Sequence, residues 1–422
     1  MNAQIPQTDV VVLGAGMVGA SLVHLLGPAI SAGLNVTLID RHELNWDGDL
    51  ASRPPSFDGR ATALSYGTQQ MLEQLGLWFL MQERACAIEH IQVSDQGRFG
   101  QAHLHASEQN VEALGYIVEN AALGYGLLKT IAREGVDIKA PASVSAVTMN
   151  AAGALLTFAD GSQLQTSLLV MADGARSPLA ASLGIRHQRN DYGTHALVTQ
   201  VEVDQPHGHW AYERFSSDGP IAFLPLRSNH FAVVWTLNND EIDGVMQLSD
   251  DALLARLQTQ IGYRLGRLKK AGERATYPLG LVRSSEQVRR SLVLLGNAAH
   301  SLHPVAGQGF NLAIRDTAVL AEHLNRAFAQ GTALGDLNML QAYERQQQAD
   351  QFNTVGASDL LPKMFGSSSK VVSVLRDAGL LAMAAAPTAR RLFTRHAMGL
   401  GQKAAALTPV TSAPARAGIS GE

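Results

Sequence analysis

A chain of 422 residues exceeds what one compact core holds and implies two or three domains. Its hydrophobic share of 46% and its 39 glycines fit an α/β protein with many tight turns, and a formal net charge of −4 predicts no nucleic-acid partner. The single cysteine, Cys86, excludes an internal disulfide and suits a reducing cytoplasm, and the first residues enter a strand with no secretory signal. No apolar run reaches the ~20 residues of a membrane-spanning helix, so the expectation is a cytoplasmic protein.

The β-branched run at 9–13 reads as a strand, and Gly14-Ala15-Gly16-Met17-Val18-Gly19 follows it directly, with helix expected over 20–26. This is GxGxxG in the strand-to-helix setting that its chemistry needs. Gly14 makes the turn, Gly16 lets the backbone approach a pyrophosphate, and Gly19 lets the helix pack on the strand. A second strand at 35–39 ends at Asp40, about twenty residues beyond the last glycine, where a carboxylate can accept from a ribose 2′-hydroxyl. The motif by itself does not separate FAD from NAD.

Asp58-Gly59-Arg60-Ala61-Thr62-Ala63-Leu64-Ser65 carries an arginine able to pair with diphosphate, or merely to be solvated at a helix start. Asn120, in GYIVEN, is a helix N-cap or a hydrogen-bonding residue. Residues 170–177 end a strand and turn through Asp173-Gly174. Runs at 91–95, 196–203, 210–215, 220–226 and 231–236 alternate or are β-branched between turn signals, and predict an antiparallel sheet. An amphipathic helix over 250–261 closes that part.

Residues 292–295 predict a buried strand, residues 312–324 a helix, and GNAAHSLHPVAGQGFN lies between them at 296–311. Gly307 and Gly309 leave room for a ligand beside the free N–H groups of a first helical turn. From about Asn338 the chain reads as helical. Residues 360–400 mix apolar groups with Arg376, Arg390, Arg391, Arg395 and His396, a pattern that covers its own domain or docks on an anionic bilayer or a partner. Residues 408–422 read as a disordered tail. The histidine pairs 103/105, 207/209 and 300/303 announce no third ligand, so no metal is expected. No GxSxG is present to support a serine hydrolase.

The 296–311 stretch resembles the second FAD fingerprint of the aromatic-ring flavoprotein monooxygenases, with the para-hydroxybenzoate hydroxylase fold. The string LHPVAGQGFNLAIRD at 302–316 is similar to their ubiquinone-biosynthesis branch, and GNAA most resembles its 2-polyprenyl-6-methoxyphenol hydroxylases. Two departures stand out: Asn297 replaces the usual Asp, and Ala180 the usual Arg after the DG segment. The resemblance implies a Rossmann-like FAD-binding domain (1–85, 112–187 and 276–345), an interrupting antiparallel-sheet substrate domain (86–111 and 188–275), and C-terminal helices with a flexible tail (346–422).

It further implies that FAD is held by Gly14, Ala15, Gly16, Met17, Gly19, Asp40, Arg41, Arg60, Asn120, Asp173, Gly296, Asn297, Gly307, Gly309, Phe310 and Asn311. The reacting end would lie at His303, Pro304, Gly307, Gln308 and Gly309, with Phe223 and Pro225 walling the ring pocket. The implied reaction is hydroxylation of a lipophilic polyprenyl-phenol through a flavin C4a-hydroperoxide, using O2 and NAD(P)H as transient electron donor. A ubiquinone-biosynthesis complex or peripheral contact with the inner membrane would accompany it. Two rivals share the cofactor motifs: an FAD-dependent dehydrogenase or reductase of an isoprenoid, and a flavin-binding scaffold.

Overall fold

The computed structural model describes residues 5–44, 60–97, 100–132, 135–216, 219–302, 308–365, 386–401 and 405. At its centre is Gln7–Leu13, whose valine run is buried in an eight-stranded sheet. This strand pairs in parallel with Val36–Ile39 on one side and Gln163–Met171 on the other, and Gln163–Met171 pairs in parallel with Leu292–Leu294. Helices Met17–Leu25, Asn120–Leu128 and Gln308–Ala329 cover one face of the sheet. The antiparallel pair Val144–Asn150 and Gly153–Phe158 curls over the other.

A second sheet of nine strands is edged by His300–Ser301 and runs through Ala275–Ser284, His187–Val203, His230–Asn238, Ile221–Pro225, Trp210–Phe215 and His90–Asp95 to Gln101–His105. Strand Ala275–Ser284 pairs along His187–Val203, carrying this sheet beyond the boundary expected at residue 275. The antiparallel expectation needs one correction: Trp210–Phe215 and His90–Asp95 run parallel, from Trp210 opposite His90 to Phe215 opposite Asp95. These strands come from separate passages of the chain through the sheet, with no hairpin to impose opposite directions.

Alternation along these strands makes two unlike faces. Leu197, Phe223, Val233 and Trp235 pack under helices Asn239–Met246 and Asp250–Ile261. Ala211, Leu224 and Ala232 meet Ala61, Ala63 and Ile117 on the opposite face. Those last residues belong to a small sheet of Ala61–Ser65, Gly115–Glu119 and Ala85–Ile88 that lies between the two large ones. Helix Leu337–Phe365 packs along Gln308–Ala329 and runs through the domain boundary expected at 345. Among the described residues no helix is long and apolar enough to cross a membrane.

Candidate functional site

Three loops distant in sequence leave the carboxyl ends of three adjacent parallel strands. Gln7–Leu13 leads into the Gly14 to Gly19 turn, Gln163–Met171 into Asp173-Gly174, and Leu292–Leu294 into Gly296-Asn297. Ligands of open α/β sheets bind at such an edge. The loops touch closely. Gly14 has φ +104, and a Cβ there would lie 2.6 Å from the Ala172 carbonyl oxygen. A Cβ on Gly19 would lie 1.9 Å from the Gly14 oxygen, and one on Gly296, at φ +60, 2.9 Å from the Val18 side chain. Side chains are thus excluded where the three loops pack together, which leaves backbone N–H groups and one helix N-terminus to meet an anion.

Asp40, at the end of Val36–Ile39, accepts from the Ala15 N–H at 2.8 Å and from the His42 N–H at 2.8 Å, so it already holds the glycine turn. Arg41 is exposed beside it, and Met17 opens the helix with its side chain against the core. Surrounding protein raises the Asp173 carboxyl above its usual range, opposed by the Ser177 hydroxyl and the Arg41 charge. Ser177 caps the short helix Pro178–Ser182 by accepting from the Ala180 N–H, so Ala180 contributes only backbone there. Asn297 is exposed in its loop.

Arg60 precedes the strand Ala61–Ser65 rather than starting a helix, and its guanidinium stacks 4.7 Å from the Tyr277 ring centroid. Asn120 is buried at the first position of its helix. The N-cap is Glu119, while Asn120 accepts from the Thr62 hydroxyl at 2.7 Å. Asn311 is buried in the first turn of Gln308–Ala329, beside Gly309 and Phe310. Its side-chain oxygen accepts from the Ser65 N–H and the Thr68 hydroxyl, and its amide donates to the Ala63 carbonyl, each at 2.8 Å. That amide locks the helix N-terminus to the small sheet. His303, Pro304 and Gly307 lie outside the described residues.

The ring-wall expectation is corrected by strand register. Phe223 is fully buried among the helix-facing residues, and Pro225, opposite Phe231, shares that side. The face turned toward the small sheet carries Ala222 and Leu224 instead, and continues by register through Val234, Val198 and Ala275. Whole-strand apolarity hid which alternate set faces which way.

Two further features escaped the sequence reading. His300 is buried with Nε2 3.2 Å from Asp316 Oδ2, and the Gln351 amide bridges Asp316 to Gln287, which donates to the buried Tyr343 hydroxyl. The His300–Asp316 contact sets the 296–301 segment against helix Gln308–Ala329, and the Gln351 hydrogen bonds join that helix to Leu337–Phe365. The spacing of His300 and Asp316, sixteen residues apart across a loop, carries no local signal. Glu213 sits opposite Ala222, on the face that looks toward the small sheet. It is half-buried without a hydrogen-bond or ionic partner among the described residues, and burial pushes its carboxyl up to about 7.

The FAD binding domain family model matches residues 7–355, most of the length, and the chain belongs to that family. Among its relatives, it is 34% identical to ubiquinone hydroxylase UbiL of Rhodospirillum rubrum over 393 residues, covering 93% of this chain and 89% of the relative. It is 29% identical to the 3-demethoxyubiquinol 3-hydroxylase of Escherichia coli, over 93% of this chain and 99% of that protein. The fold is similar to the p-nitrophenol 4-monooxygenase PnpA of Pseudomonas putida, with a TM-score of 0.74 at 18% identity, covering 94% of this chain and 99% of that one.

Proposed function

We propose that this chain is an FAD-dependent monooxygenase that hydroxylates the aromatic ring of a polyprenylated phenol in ubiquinone biosynthesis. The observation that carries the reading is the meeting of three glycine loops at one sheet edge, in a chain similar along nearly its whole length to ubiquinone hydroxylases. The edge fits FAD chemically. Backbone N–H groups at Gly14 to Gly19 suit the diphosphate, and Asp40 suits a ribose hydroxyl. Arg60, Asn120, Asp173 and Asn297 supply polar groups for the rest of the chain of the cofactor. The first turn at Gln308 to Asn311 would present N–H donors to the pyrimidine end of the ring. When bound and reduced by NAD(P)H, FAD supplies the activation of O2.

The protein holds the phenol and keeps water out. The face bearing Ala222, Leu224, Val234 and Val198 is mostly apolar, with the Glu213 carboxyl as a polar group at Ala222, and suits an aromatic ring with a prenyl tail. The helix Pro387–Ala397 exposes Leu392 by 65% and Phe393 by 45% beside Arg391 and Arg395. This favours peripheral contact with an anionic bilayer, from which a lipophilic phenol would be drawn.

The experiment is to purify the protein, record the flavin absorbance, and follow NAD(P)H oxidation with and without a short-chain 2-prenyl-6-methoxyphenol. The reading expects bound FAD, oxidation stimulated by the phenol, and hydroxylated product in proportion. Bound FAD with a turnover that consumes no O2 into the phenol would favour the dehydrogenase instead. Protein that folds without holding FAD would refute both.

A further inference from the structure

The pair His207 and His209 announced no third ligand in the sequence, but the fold supplies one from a different sheet. Cys86 Sγ lies 3.8 Å from His207 Nε2 and 4.0 Å from His209 Nδ1, and a ligand atom from each residue lies within 4.8 Å of the others. Tetrahedral zinc with bonds of ~2.3 Å to sulfur and ~2.0 Å to nitrogen separates S and N by about 3.6 Å. Both sulfur–nitrogen separations are therefore within a few tenths of an ångström of that geometry, and the two imidazole nitrogens lie within 4.8 Å of each other.

The backbone is arranged around this convergence. Gly208 and His209 are both left-handed, His209 at φ 59, an uncommon conformation for a side-chain-bearing residue. The Glu89 and His90 N–H groups both donate to the His209 carbonyl, fixing the turn against the end of strand Ala85–Ile88. Glu89 Oε1 stands 3.9 Å from His209 Nε2, beyond hydrogen-bond length but on the side of the ring away from Cys86, where a small side-chain movement would let it accept from that nitrogen. A recess of about 790 Å³, lined by Trp78, Glu112, Tyr116 and Arg227 as well as the three ligands, opens onto the cluster and gives a cation an entry path and a fourth position.

We propose that Cys86, His207 and His209 bind one zinc(II) ion that clips the small sheet to the edge turn of the nine-stranded sheet. Present contacts are ones a metal can displace. His209 Nδ1 is 3.1 Å and Cys86 Sγ 3.8 Å from the Ala87 carbonyl oxygen, and the His209 N–H donates to His207 Nδ1 at 3.0 Å. Loading puts the His209 proton on Nε2, toward Glu89, moves the His207 proton from Nε2 to Nδ1 so that the His209 N–H loses its acceptor there, and releases the thiol proton to solvent. Neutral hydrogen bonds are a small forfeit against three metal–ligand bonds.

The test uses the FAD-loaded full chain dialysed against zinc-buffered solution, with metal content measured by mass spectrometry. The wild type should retain about one zinc per chain, and Cys86→Ala or His207→Ala should weaken binding by at least ~100-fold. His323→Ala, on a remote helix, should bind as the wild type does, and flavin content reports folding in each variant. Where a variant loses FAD, cobalt(II) titration of the wild type decides. A thiolate-to-cobalt charge-transfer band supports the site. Its absence, zinc at background in the wild type, or full retention by folded Cys86→Ala overturns it.

Discussion

The edge of the parallel sheet and the two faces of the second sheet are built on different principles. At the edge, backbone does the shaping: Gly14, Gly19 and Gly296 permit contacts that any side chain would obstruct, and each works within a short local string. On the second sheet, side chains decide, and what matters is which alternate set points toward the helices and which toward the small sheet. A local string can therefore specify a cofactor cradle, while a substrate wall is specified only once register is fixed.

Substitutions can break this comparison at either end. Gly19→Ala puts a methyl 1.9 Å from the Gly14 oxygen, and should cost more than about 4 kcal/mol and abolish FAD retention, read from denaturation and flavin absorbance. Phe223→Ala should cost about 3–4 kcal/mol through a cavity under the helices, yet leave the phenol KM of whatever folded enzyme remains within a factor of about two. Leu224→Phe should do the opposite, with little loss of stability and a KM changed by about tenfold. Equal KM effects from both substitutions would show that the two faces are not functionally distinct.

Asn311→Ala strands the Ser65 N–H and the Ala63 carbonyl and leaves the Thr68 hydroxyl only its Ser65 hydroxyl partner, and should cost about 2–3 kcal/mol with weaker FAD binding. The smallest effect is pH-dependent. The Glu213 carboxyl is raised from 4.5 to about 7 in the folded state, so the unfolded chain ionises first as pH rises through that window. Stability is thus lost between about pH 4.5 and 7. Relative to wild type, Glu213→Gln should be unchanged near pH 4 and more stable at pH 8 by at most about 3 kcal/mol. A gain independent of pH would point to packing instead.

The sequence was most informative where structure is local. The GxGxxG turn, Asp40 and the strands at 210–215 and 36–39 follow from strings of a few residues, and helix 250–261 from its periodicity. It was least informative where partners meet across the chain. Asn120 with Thr62, Asn311 with Ser65 and His300 with Asp316 are joined by tertiary packing that no spacing announces. Phe223 misled for a related reason: Ile221 to Leu226 is apolar at every position, so it carries no polar alternation to mark the inward side. Cys86 looked inert until topology set it beside two histidines.

The most direct measurement is a single turnover of the reduced FAD enzyme with oxygen-18 gas and a short-chain prenylated methoxyphenol, followed by mass spectrometry of the phenol. The account predicts that one labelled oxygen enters the ring of the phenol as flavin is reoxidised. Full reoxidation that leaves the phenol unlabelled, with the label only in peroxide or water, would contradict it.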